Sequence, residues 1–308
     1  MGDKDIMDST TAPRISFQRR TWLLIVVVVG LILAAPGLRP TAKALAAPAE
    51  SVQASKMYAV RSVSKWSLFE ISLSATNNYA NSYTDIAVQA VFSGPDGARK
   101  EVRGFWDGGD IFRVRFTPTR EGTWSYTIAS TPSDPGLTAV GTLEVIPALP
   151  GDHGFLRRDA AYPYRFVFDD GTRHFMFGQT YYEIIRNAMA GESWKTAVDQ
   201  SAAHGMTKVR LLLYPWPSDT NPYPDTEPFV NSSDHDQLNL AHWRKLDEII
   251  VYLRSRGMIA DLILFADAGR VFGTLTQDQR YLRYALVGLT VGWLAPWLFA
   301  RCRLASRK

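Results

Sequence analysis

The stretch Gly104-Phe-Trp-Asp-Gly-Gly-Asp-Ile-Phe-Arg-Val-Arg-Phe-Thr-Pro-Thr-Arg-Glu-Gly-Thr-Trp-Ser-Tyr126 decides the fold of this chain. Apolar residues alternate with arginines from Ile111 to Phe116, which predicts a strand with Ile111 and Phe116 packed inward or toward its edges. Arg113 and Arg115 then share the opposite face. Alternation resumes at Thr123 and puts Trp124 and Tyr126 on one side. Pro118 and the Glu121-Gly122 pair supply turn chemistry between the two strands. The Asp107-Gly108-Gly109-Asp110 run is a tight hairpin turn before them. Several short strands in about thirty residues read as an antiparallel β-sandwich.

Working outward, residues 65–73 open the sandwich with Trp66, Leu68, Phe69 and Ile71 available for its core. Residues 85–92 form a strand that Gly94, Pro95 and Gly97 turn sharply. Residues 136–146 form the last strand, and Pro147 and Pro150 close the domain. Asp107 and Asp110 have the oxygen chemistry for Ca²⁺, but turn aspartates that bond their own backbone are commoner.

The Gly-Phe-Trp-Asp-Gly turn, Val-Arg-Phe-Thr-Pro and Glu-Gly-Thr-Trp-Ser-Tyr follow one another in order. In this the segment 65–145 resembles the module named domain of unknown function 5060. The resemblance implies an immunoglobulin-like β-sandwich that precedes a glycoside-hydrolase barrel in secreted bacterial proteins. It implies no reaction, because function lives in a site.

The grammar changes after Phe155. Residues 164–168 and 174–177 read as a hairpin running on into Gly178-Gln179-Thr180. Residues 194–204 are helical, with Trp194, Ala197, Val198 and Ala202 spaced for one buried face. Residues 207–214 are a strand, and residues 240–256 an amphipathic helix stopped by Gly257. Residues 259–265 form an almost wholly apolar strand of the kind buried in parallel sheets. A further helix starts at Thr276. Strand and helix in alternation are how a (β/α)₈ barrel begins. His204-Gly-Met-Thr-Lys-Val-Arg210 and Arg256-Gly-Met258 make this part similar to the apiosidase-like glycoside hydrolases over residues 154–284. The expected fold class is therefore multi-domain: an all-β immunoglobulin-like sandwich followed by an incomplete (β/α)₈ TIM-barrel segment, since about three of eight strands are legible.

Retaining glycosidases need two carboxylates about 5–5.5 Å apart. The resemblance puts these at the ends of the fourth and seventh barrel strands. No Asp, Glu or Asn occurs after Tyr284 in this chain, so no catalytic residue carries over and the chain is expected to be inactive alone. Residues at strand C-termini line a barrel pocket, and aromatic planes and carboxylates there bind sugars. The substrate-binding candidates are Tyr181, Tyr182, Glu183, Arg210, Tyr214, Trp216 and Asp267. Tyr181 and Tyr182 read equally well as packing for the first helix, and Arg210 as half of a structural ion pair. His204, at a helix end, reads as a cap rather than a ligand. The expectation is no cofactor and no metal.

Composition bounds the rest. The chain has 308 residues, 46% hydrophobic and 21% charged, with room for about two domains. Its net charge of +4 is not gathered into a stripe, which argues against nucleic acid; carbohydrate as a partner is what the resemblance implies. A single cysteine, Cys302, excludes an internal disulfide and any cysteine-based metal site. Arg19 and Arg20 abut fourteen uncharged residues, 22–35, with small-residue sites before Ala47. That pattern is a secretory signal or an uncleaved signal anchor. It places the remainder of the chain outside a bacterial cytoplasm, secreted or membrane-anchored. The expected division is 1–47 signal, 48–64 linker, 65–150 sandwich, 151–284 partial barrel and 285–308 a divergent tail. That tail is apolar over residues 285–300 and basic after it. Two readings fit it: out-of-frame translation, or a short membrane span with a basic cytoplasmic end. The alternative function is a membrane-tethered carbohydrate- or protein-binding sandwich.

Overall fold

The computed structural model describes residues 56–213, 226–230, 235–265, 272 and 274–288. The signal segment 22–35, its cleavage sites and the tail beyond residue 288 lie outside the described residues.

Seven strands make the first part: β1 (Lys56–Ser64), β2 (Phe69–Ser74), β3 (Ala87–Ser93), β4 (Arg99–Trp106), β5 (Ile111–Phe116), β6 (Gly122–Thr131) and β7 (Ala139–Ile146). They join in one sheet of order β1-β7-β6-β3-β4-β5-β2 that curls into a nearly closed, barrel-like shell. All neighbours are antiparallel except β1 and β7. β4 holds the two halves together, pairing with β3 from Arg99 to Arg103 and with β5 from Gly104 to Trp106. The switch falls at Gly104, where a Cβ would sit 2.9 Å from Val88 and 3.0 Å from the Arg113 carbonyl. Only glycine lets three strands approach so closely there.

The alternation read from the sequence has a physical outcome on each strand. In β6 Trp124, Tyr126 and Ile128 are buried, as the pattern requires. In β5 the buried set is Phe112, Val114 and Phe116. Ile111 lies on the arginine face instead of packing inward with Phe116, because residues five apart on a strand point to opposite sides. Phe92 and Phe116 stack at 3.9 Å, with Trp124 tilted against Phe116 at 5.1 Å. The indole of Trp124 donates to the Arg120 carbonyl at 3.0 Å, so its one polar atom is satisfied inside the core. The stretch read as a linker, 48–64, contributes β1. Its Pro-poor second half, residues 56–64, adds a parallel edge to β7.

The second part begins with a small antiparallel sheet, β8 (Leu156–Arg158), β9 (Phe166–Phe168) and β10 (Arg173–His174). β11 (Gly178–Thr180), β12 (Lys208–Leu212) and β13 (Ile259–Ile263) then form a parallel three-stranded sheet. The hairpin strand expected to run unbroken into Gly178 is thus split between two sheets. Helices α1 (Ile184–Met189), α2 (Trp194–Ala203), α3 (Leu240–Ser255) and α4 (Leu275–Gly288) alternate with the parallel strands. Asn239 caps α3 by accepting from the His242 amide, and Gly257, at φ 68°, ends it. Val209, Leu211 and Leu213 of β12 and its end pack with Ile184, Val198, Leu246 and Ile250 of the helices.

Both parts belong to one compact unit. The hairpin turn at Asp107 is also a docking loop: Arg244 of α3 donates to the Asp107 carbonyl at 2.6 Å, and Leu240 packs over Gly108. Phe105 of β4 lies in the same core as the helices.

Candidate functional site

The C-terminal ends of β11 and β12 are where a barrel of this strand order would hold its ligand. Tyr181 comes directly after β11. Its amide donates to the Arg210 carbonyl at 2.7 Å, extending the parallel ladder, and its hydroxyl accepts from Asn187 at 3.1 Å. Glu183 is the residue before α1 and pairs with Arg186 at 3.1 Å. Tyr181 and Glu183 therefore start and brace a helix, which the sequence did not distinguish from sugar binding. Tyr182 between them is about half exposed (52%) and carries an available ring face. Tyr214, Trp216 and Asp267 lie outside the described residues.

Arg210 shares its register position with Thr180 on one side and Asp261 on the other. Its Nε donates to Asp261 Oδ2 at 2.9 Å, and Lys208 Nζ reaches the same oxygen at 2.8 Å. Burial alone would raise the Asp261 carboxyl. The two cations outweigh it and hold the group below its ordinary range. Asp261 is thus a fixed anion, neutralised by its neighbours. Sequence reasoning passed it over, although a single carboxylate inside an otherwise apolar strand was the available signal.

His204 accepts the capping role read for it, with Nδ1 2.7 Å from the Gln200 carbonyl. Asp107 bonds Arg113 and Arg244, and Asp110 bonds Ser74. Among the described residues no group of three or more His, Cys, Asp or Glu is placed to hold a metal ion.

Set beside known proteins, residues 62–131 match the model of the domain of unknown function 5060. Residues 257–307 match a model of the transmembrane extension of PAP2 superfamily phosphatases. Within that second match β13 lies in the parallel sheet, and no described helix is long and apolar enough to cross a membrane. No curated protein matches the chain. Among solved structures it is similar to a "putative glycoside hydrolase" from Bacteroides vulgatus ATCC 8482. Identity is 28% and the TM-score 0.63, over 76% of this chain and 49% of that one. The chain spans about half the length of that neighbour. The Lin-41 filamin domain (21% identity, TM-score 0.22, 29% of this chain and 86% of that one) is too distant to bear on the fold. The same holds for a pullulanase from Bacillus acidopullulyticus (11% identity, TM-score 0.22, 73% and 32%).

Proposed function

We propose that this chain is a carbohydrate-directed relative of the barrel glycoside hydrolases. Its first part serves as an immunoglobulin-like sandwich, and its second as the opening strands of an apiosidase-like (β/α)₈ barrel. It acts outside the cytoplasm, on plant or microbial polysaccharide, and binds sugar without cleaving it. The likeness to the Bacteroides protein over three quarters of the chain supports the lineage. The strand-helix alternation on one parallel sheet supports the barrel reading.

The clamped state of Asp261 carries the non-cleaving half of the reading. Hydrolysis needs a carboxyl that gives a proton to the leaving oxygen and a second that steadies the oxocarbenium-like centre. Asp261 is ionised and held by Lys208 and Arg210, and Glu183 is held by Arg186. Asp261, held below its ordinary range by two cations, is not a proton donor. Purified chain incubated with a panel of aryl glycosides and pectic oligosaccharides should release nothing above a heat-killed control. Release that disappears in Glu183→Gln or Asp267→Asn would reverse the reading.

The match of residues 257–307 to a transmembrane extension favours a second reading, in which the chain is tethered to a membrane and the sandwich presents the binding surface. Extraction from membranes by detergent but not by alkaline carbonate would support the tether. Release by carbonate alone would remove it.

A further inference from the structure

A cleft of about 250 Å³ opens where the curled sheet meets α4. Tyr83, Val88, Arg103 and Phe105 line its sheet side, and Arg280, Arg283 and Tyr284 its helix side. None of these residues belongs to the strand ends described above, so the site stands independently of the proposed function.

Its charge is one-sided. Arg103 and Arg283 make no ion pair among the described residues, while Arg280 is bonded to Asp236. The single acid among the described lining residues, Asp85, already accepts from the Thr84 hydroxyl at 2.7 Å and the Asn81 amide at 2.8 Å. The floor is apolar: Val88, Phe105 and Tyr284 are all buried. Tyr284 is engaged, donating to the Trp106 carbonyl at 2.9 Å. The Tyr83 ring packs edge-on against Tyr284 at 5.5 Å.

We propose that this cleft binds a small carboxylate carried on a single six-membered ring. Guanidinium forks match carboxylates in geometry as well as charge, and a cation beside a low-dielectric floor attracts an anion more strongly than one in open water. Ligand pockets for larger molecules run from about 300 Å³ upward, so this cleft suits one ring rather than an oligomer. The apolar floor takes the ring, and Arg103 and Arg283 take the carboxylate. A uronic acid and an aryl carboxylate share this chemistry.

The test is calorimetric titration of the detergent-solubilised full chain with galacturonate, benzoate, their neutral counterparts galactose and benzyl alcohol, and inorganic phosphate. At least one carboxylate should bind, with its neutral counterpart weaker by about tenfold or more, the worth of one charge-assisted bond. Whichever carboxylate binds more tightly names the source. Arg103→Ala and Arg283→Ala should each weaken it by about tenfold, with circular dichroism unchanged. Three results would overturn the proposal: neither carboxylate binding, affinity unchanged in both arginine variants, or phosphate binding more tightly than both carboxylates.

Discussion

Arg115 of β5 and Asp247 of α3, 132 residues apart in sequence, meet as a bidentate pair, with Nη1–Oδ1 at 3.0 Å and Nη2–Oδ2 at 2.7 Å. Arg115 also donates to Glu70 at 2.8 Å and lies over the Phe105 ring at 4.8 Å. Only 11% of its side chain is exposed. The face that looks like a solvated arginine stripe in the sequence is the seam between the two parts of the fold. Removing either partner leaves a desolvated charge behind, which costs more than an exposed pair is worth. Arg115→Ala and Asp247→Ala should each destabilise by about 3 kcal/mol in urea unfolding. The double variant should recover about 1–2 kcal/mol of coupling. Strict additivity would show that the seam does not depend on this pair.

Acid should weaken the fold in two stages. His242 on α3 is buried and bonds the Thr226 carbonyl through Nδ1 at 2.7 Å. Burial pushes its pKa down to about 4, against an opposing pull from backbone carbonyls. Below an ordinary value of 6.5 the unfolded chain takes up the proton and the folded chain does not. Stability therefore falls as pH drops from about 6.5 toward 4, by about 3 kcal/mol in all at roughly 1.4 kcal/mol per pH unit. Asp134 is fully buried and accepts from the Thr76, Asn77 and Gly136 amides and the Tyr79 hydroxyl. Burial opposes its ionisation, but those donors prevail and lower its pKa. Its contribution is present above the unfolded carboxylate range and is lost below it. Urea midpoints from pH 7 to pH 3 measure both. His242→Gln should flatten the upper stage and leave the lower one; an unaltered upper stage would remove His242 as its source.

Gly136 sits inside the Asp134 turn with no room for a side chain. A Cβ there would lie 2.0 Å from the Ser74 carbonyl and 2.8 Å from the Thr76 amide, both backbone atoms. Gly136→Ala must shift β2 or open the turn, and should cost about 3 kcal/mol. Asp134→Asn should lower stability as well, since a carboxylate serving so many donors loses acceptors as an amide. A Gly136→Ala thermal midpoint equal to that of the parent would show that the turn relaxes freely.

Period and turn chemistry encode the part of the fold that was legible in the sequence. Trp124 and Tyr126 alternate with polar residues, and their burial comes from that spacing alone. Leu246, Ile249, Ile250 and Leu253 recur at helical spacing, and α3 buries all four. The seam was not legible, because Arg113, Arg115 and Asp107 look the same in sequence whether they face water or a helix. For the candidate site the sequence supplied residue types and no geometry: Tyr182 is exposed, whereas Tyr181 and Glu183 brace α1, a helix of 6 residues and too short to leave a periodic trace. The arginine cleft joins β4 to α4, elements far apart in the chain, and no local pattern reports such a meeting.

The most direct measurement for the account as a whole passes a labelled polysaccharide digest over the immobilised chain. Retained sugar and its length are read in the same chromatogram. The account predicts oligosaccharide that is retarded by the chain, eluted by competing sugar and unchanged in length. Shortened products in the eluate, or passage with no retardation of any polysaccharide, would contradict it.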